Sequence, residues 1–228
     1  MKIYLFTIIL LICASGNIYS QTAREYLPFR TGETYYYKYV NPKDENVLYK
    51  IAEITEKRTK CDSVWEKDSV TYLKISHSYI YEQEESSSRT GDKYVYSISR
   101  DEVWYSYDYM FERHPNTNLL FKLPPANQPL SWEKSKYVDK QLFTFKYKAE
   151  YLDTMTVNNK LCKDVLVFTE QEFLGGGAGT LPSPNYTKKS YYAKNIGLVS
   201  FDYLDKNNRL DGTRSYKLKM IDINQATF

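Results

Sequence analysis

Histidine is almost absent from this chain: two residues in 228, His77 and His114, far apart and with no cysteine or histidine at ligand spacing. A catalytic zinc site needs about three protein ligands, so the sequence encodes no such centre. Charge of one sign is also missing. Lysine and arginine number 31 against 28 acids, the formal net charge is +3, and no basic run occurs. The electrostatic footprint of a nucleic-acid binder is therefore absent. Beyond the first twenty residues no stretch is apolar enough to span a bilayer, which takes roughly 18–20 residues. Short chemical motifs are lacking as well. "GGGAGT" has no Gly-Lys-Ser/Thr ending and opens no helix, so it is not a phosphate loop. No Gly-x-Ser-x-Gly elbow or Cys–His arrangement occurs. No cofactor is implied.

The first twenty residues, "MKIYLFTIILLICASGNIYS", place Lys2 before an apolar run from Ile3 to Ala14, then turn small and polar. This is the pattern of a secretory leader. Ser20 is then the last residue before cleavage and Gln21 the first afterwards. A lipid anchor at Cys13 fits poorly, because Ile12 occupies the place of a small residue. The expected destination is the periplasm or the cell surface. Two cysteines follow the leader, Cys61 and Cys162. In an oxidising compartment such a pair is a candidate disulfide, with roughly 4–5 kcal/mol of loop entropy at stake. Two separate buried thiols are the alternative.

Tyrosine is what the chain has in excess: 24 of 228 residues. Much of it alternates with period two. Tyr35, Tyr37 and Tyr39 share one side of "ETYYYKY", and Tyr94, Tyr96 and Ile98 share another run. Val103, Tyr105, Tyr107, Tyr109 and Phe111 follow, then Phe143, Phe145, Tyr147, Ala149 and Tyr151. Val199, Phe201 and Tyr203 align, as do Tyr216, Leu218 and Met220. Strict alternation marks half-buried antiparallel strands. Residues 47–58 and 69–83 are predicted as longer strands around a loop holding Cys61 and Trp65, and 160–173 as another. "NPKDEN", "SSSRTGD", "KNIG" and "DKNNRLDG" are predicted turns. Only "TAREYL" suggests a helical turn, ended by Pro28. Glu112–Lys136, with its four prolines, and Leu174–Lys189 are expected to be irregular. The expectation is an all-β, single antiparallel domain over 21–228, with about nine or ten strands, as an open barrel or a sandwich.

"YLPFRTGETYYYKYV" resembles the start of many exported β-rich envelope proteins of Gram-negative bacteria, with Pro28, Gly32 and then an aromatic strand. "YYAKNIGLVSFDYLD" looks like their C-terminal hairpin, with its Gly-Leu-Val turn. The resemblance implies an exported antiparallel β fold, an open barrel of the lipoprotein-carrier or lipocalin-like kind. It carries over no catalytic residues.

Three function classes remain. A non-catalytic binding module would hold an amphipathic or apolar ligand, a lipid or a glycan, against Tyr105, Tyr107, Tyr109, Phe143, Phe145 and Tyr147. A structural protein would instead use exposed tyrosines to meet another envelope protein. A glycan hydrolase would need two carboxylates roughly 5–10 Å apart. Glu102 and Asp108 share a strand face but lie near 20 Å apart, too far for one pair. His77 reads as a hydrogen-bonded sheet residue, and "DKNNRLDG" as a turn rather than a calcium loop, since Arg209 replaces an oxygen ligand. Asp-Ser/Thr-aliphatic triplets at Asp62, Asp68 and Asp153 resemble an O-glycosylation signal of some gut-type bacteria, with Ser63, Ser69 and Thr154 as acceptors.

Overall fold

A computed structural model of the chain describes residues 21–40, 54–81, 88–107, 118–125, 128–138, 141–174 and 184–223. Among them, twelve strands form one antiparallel sheet. They are β1 (Glu33–Tyr39), β2 (Ile54–Lys67), β3 (Val70–Tyr81), β4 (Ser88–Ile98), β5 (Glu102–Tyr107) and β6 (Asn118–Lys122). The second half is β7 (Leu130–Val138), β8 (Gln141–Val157), β9 (Lys160–Leu174), β10 (Tyr186–Ala193), β11 (Gly197–Leu204) and β12 (Tyr216–Ile223). The order across the sheet is β6-β5-β4-β3-β2-β1-β12-β11-β10-β9-β8-β7. Every strand pairs with its sequence neighbour except at one place. β1 and β12 meet at the centre, and β6 and β7 are left as the two edges. The sheet is not closed.

The all-β expectation holds, with a larger count: twelve strands instead of nine or ten. The two extra ones are β6 and β7, inside the stretch expected to be irregular. Pro124, Pro125 and Pro129 sit in the connection between them, where a missing N–H costs the ladder nothing. Boundaries also differ: β7 runs to Val138 and β8 to Val157, and β10 begins at Tyr186, inside the Leu174–Lys189 stretch expected to be irregular. β2 runs unbroken through Cys61 and Trp65 to a two-residue turn at Asp68 and Ser69, both at positive φ. That is a tight hairpin turn. Register shifts between Ile54 and Glu56 and between Cys61 and Ser63 break the alternation there. "SSSRTGD" is not a turn over its second half, because β4 begins at Ser88. "NPKDEN", Tyr109, Phe111 and His114 lie outside the described residues.

The sheet curls on itself, so that one face becomes an interior. Tyr35, Tyr37 and Tyr39 are buried there, while Lys38 on the other face is exposed. Phe121 of β6 reaches Tyr192 of β10 at 4.7 Å between ring centroids. Burying a side chain of that size contributes about 1.5–3 kcal/mol. A helical turn, Ala23–Tyr26, plugs one end. Its Ala23 N–H donates to the Arg100 carbonyl before β5, and its Glu25 carbonyl accepts from Asn195 before β11. Arg24 donates to the carbonyls of Leu27 and Phe29, and Tyr26 stacks on Tyr151.

The two cysteines do not pair. Both are free and buried, Cys61 in the main core and Cys162 in a second cluster with Val157, Val165, Ala193 and Val199. Four strands, β1, β12, β11 and β10, separate β2 from β9 in the sheet. A disulfide needs Cα atoms within about 7 Å. Burial pushes the Cys61 thiol up to about 12, so it is held as an inert thiol.

Candidate functional site

The unpaired seam between the two halves of the sheet holds a cleft of about 540 Å³. One wall comes from Trp104 and Tyr105 of β5 and Asn118 and Leu119 of β6. The other comes from Trp132, Glu133, Lys134 and Lys136 of β7, Phe145 and Tyr147 of β8, Glu170 and Glu172 of β9, and Tyr186 and Lys188 of β10. The register explains the second wall. Trp132 pairs with Tyr147, Tyr147 with Glu170, and Glu170 with Lys188, so these four stand in one row across four strands.

The apolar part is a stack. Trp132 and Tyr147 lie 5.3 Å apart at 20°, and Tyr147 lies 5.9 Å from Phe168 at 21°. Trp104 is fixed on the opposite wall, its indole N–H donating to Glu102 at 3.0 Å, while Lys122 holds the other oxygen of that carboxylate. The polar part is a network. Lys188 donates to Glu170 at 2.9 Å, the Tyr186 hydroxyl donates to the same oxygen at 3.1 Å, and the Lys188 ammonium lies 4.5 Å from the Tyr186 ring centre. Burial, with the Glu170 charge adding to it, pushes the Tyr147 hydroxyl up to about 12. The same two causes raise Tyr105. Both phenols thus remain hydrogen-bond donors at neutral pH.

Of the six residues the sequence suggested, Tyr105, Phe145 and Tyr147 line the cleft. Tyr107 sits beside Tyr94, 4.9 Å between centroids, and Phe143 pairs with Lys136 and Leu174 near the start of β8; neither is in the lining. Tyr109 lies outside the described residues. Sequence reasoning missed Trp132, hidden among prolines, and the alternating "TEQEF" and "YTKKS" runs that bring Glu170, Glu172, Tyr186 and Lys188 to one face. The extra residue of the β5–β6 register shift, Leu120, lies in β6, and β5 keeps a regular register with β4; both Trp104 and Tyr105 nevertheless border the seam.

A second, smaller cavity of about 220 Å³ lies deeper, above the N-terminal plug residues Leu27 and Phe29. Its wall includes Lys57 and Thr59 of β2, His77 and Tyr79 of β3, Tyr96 of β4, Tyr192 of β10 and Tyr216 of β12. Tyr105 lines both spaces. His77 is 8% exposed, and its Nδ1 lies 3.0 Å from the Thr59 hydroxyl, the hydrogen-bonded sheet histidine the sequence suggested.

Glu170 and Glu172 alternate on β9, about 6–7 Å apart. That spacing lies within the range of a glycoside-cleaving pair. One Glu170 oxygen accepts from two donors, and Glu172 accepts from the Asn185 side-chain amide. Among the described residues no group of three His, Cys, Asp or Glu gathers as a metal site.

No protein-family profile and no curated protein matches the chain. Two solved structures are similar to it in shape. One is a candidate exported protein with a YmcC-like fold from Bacteroides fragilis, 14% identical with a TM-score of 0.44, matching 85% of this chain and 97% of that one. The other is a candidate lipoprotein from Parabacteroides distasonis, 16% identical with a TM-score of 0.47, matching 85% and 96%. Neither description names a ligand or an activity.

Proposed function

We propose that this protein is an exported, non-catalytic binding module of the cell envelope that holds an amphipathic ligand in the seam cleft. The observation that carries the reading is the cleft itself, about 540 Å³, in the size range of small-molecule sites. Its Trp132–Tyr147 stack gives an apolar body a flat wall. Its lysines, glutamates and phenols give a polar end a rim of donors and acceptors. The leader-like first twenty residues support export.

Native mass spectrometry of the chain from Gln21 onward, purified gently from an envelope fraction, tests the reading. The expected spectrum carries a mass excess that organic extraction removes. A bare mass before and after extraction would overturn a preloaded ligand. It would favour a second reading, docking of another envelope protein, for which Tyr137 on edge strand β7 is the supporting observation: it is 75% exposed.

A further inference from the structure

We propose that the ligand bears a single negative charge, a carboxylate, and that Lys57 in the inner cavity receives it. This rests on the reading of the seam cleft as an amphiphile site.

Lys57 faces inward on β2, level with Tyr37 on one side and Tyr79 on the other. Its ammonium lies 5.0 Å from the Tyr216 ring centre and donates to the Tyr216 hydroxyl at 3.4 Å, a long bond. The cavity wall contains no aspartate or glutamate among the described residues. The adjacent acid, Glu56, is engaged elsewhere, by Arg58 at 3.0 Å and Lys219 at 3.3 Å. Lys57 is half-buried, and burial lowers its hold on the proton; an anion beside it would restore that hold. The Tyr216 ring and hydroxyl are neutral partners and leave the positive charge unbalanced. A bound anion supplies the missing partner.

The charge count selects a monoanion. His77 is the other basic group in the wall. Burial and the nearby Lys57 charge hold its imidazole well below its ordinary range, so it is neutral. One cation, with the Tyr216 hydroxyl beside it, matches a carboxylate better than a phosphate dianion. The cavity and the cleft share Tyr105 as a wall, and the proposed path requires that ring to let the chain pass. The head then lies at Lys57 and the hydrocarbon passes Tyr105 toward the Trp132–Tyr147 stack.

Isothermal titration of the delipidated chain with dodecanoate, dodecanol and dodecyltrimethylammonium tests this. Dodecanoate is expected to bind about tenfold or more tighter than dodecanol, in line with a charge-assisted hydrogen bond, and the cationic amphiphile weakest. Lys57→Met is expected to bring dodecanoate to the dodecanol level and raise the melting temperature of the empty protein. Lys57→Arg, which keeps the charge, retains the preference and serves where Lys57→Met does not fold. If dodecanoate and dodecanol bind equally, or Lys57→Met keeps the preference, the head-group assignment is overturned while the cleft reading stands. If none of the three binds, the cleft reading falls and takes this one with it.

Discussion

Tyr36 and Tyr37 are neighbours with opposite fates. Tyr37 is fully buried and meets Tyr216 edge-on at 5.4 Å, whereas Tyr36 is half-buried with the Arg58 guanidinium 5.3 Å from its ring centre. The pleat makes that difference, not the side chain. The same pleat turns Lys57, Thr59 and His77 inward, where each must find a partner or carry a penalty. For His77 the penalty has a measurable sign. Its folded imidazole is held below the ordinary value near 6.5 by burial and then by Lys57. The unfolded chain therefore binds more protons as the pH falls below about 6.5, so stability drops with falling pH until the folded group also protonates. The slope contributed is at most about 1.4 kcal/mol per pH unit for one proton. His77→Gln keeps a polar group beside Thr59 and removes the titration. Urea unfolding between pH 7 and pH 5 is expected to show a shallower loss of stability in this variant (roughly that slope less). Equal slopes in the two proteins would show that His77 is not held neutral.

Strands differ in how much protection the sheet gives them. β1 and β12 lie at its centre with a bonded neighbour on each side, while β6 and β7 each have one. Hydrogen exchange should follow that order, because edge amides open locally and central ones open only with the whole sheet. Amides of Tyr35 to Lys38 are expected to exchange slowest and those of Leu130 to Val138 fastest among the strands. Uniform protection from edge to centre would mean that the seam is sealed in solution. The same contrast explains what the sequence makes legible. β1 alternates, with Tyr35, Tyr37 and Tyr39 buried and Lys38 exposed, and β9 lies close to its expected bounds, but β8 runs on to Val157, past the alternation that ends at Tyr151. β2 cannot be read directly, because two register shifts interrupt its period. β6 and β7 are short or edge-exposed and lie among prolines, so they look like loop. The cleft was half legible for a further reason. Tyr105, Phe145 and Tyr147 announce themselves as aromatic rows, but Trp132, Glu170 and Lys188 join Tyr147 through strand register, and Tyr105 meets that row only because the sheet curls. No local pattern reports curvature.

At the scale of the whole molecule, the chain walks outward from β1 to β6, crosses the seam, and walks back from β7 to β12. Its ends are stitched together, Glu33 opposite Ile223 and Tyr39 opposite Tyr216. The seam itself carries no strand pairing among the described residues, so continuity of the backbone there should matter less than anywhere else in the sheet. The β6–β7 connection is tied at its start, where the Leu123 N–H donates to Asp101, but Gln128 and Pro129 are exposed. Exposed connections of this kind are where circular permutation succeeds. A permutant that joins the natural ends through a flexible linker and begins at Gln128 is expected to unfold cooperatively and to keep the parent spectrum. A permutant opened at Asn158–Asn159 is expected to do worse. That positive-φ turn holds β8 to β9, the two longest strands, and the Asn158 amide also donates to the Leu218 carbonyl at 2.7 Å. If both permutants fold equally well, hairpin order does not govern assembly. If only the Gln128 permutant fails, the two edges depend on their covalent link to stand face to face, and the cleft between them is created by the connection and not by the curl of the sheet.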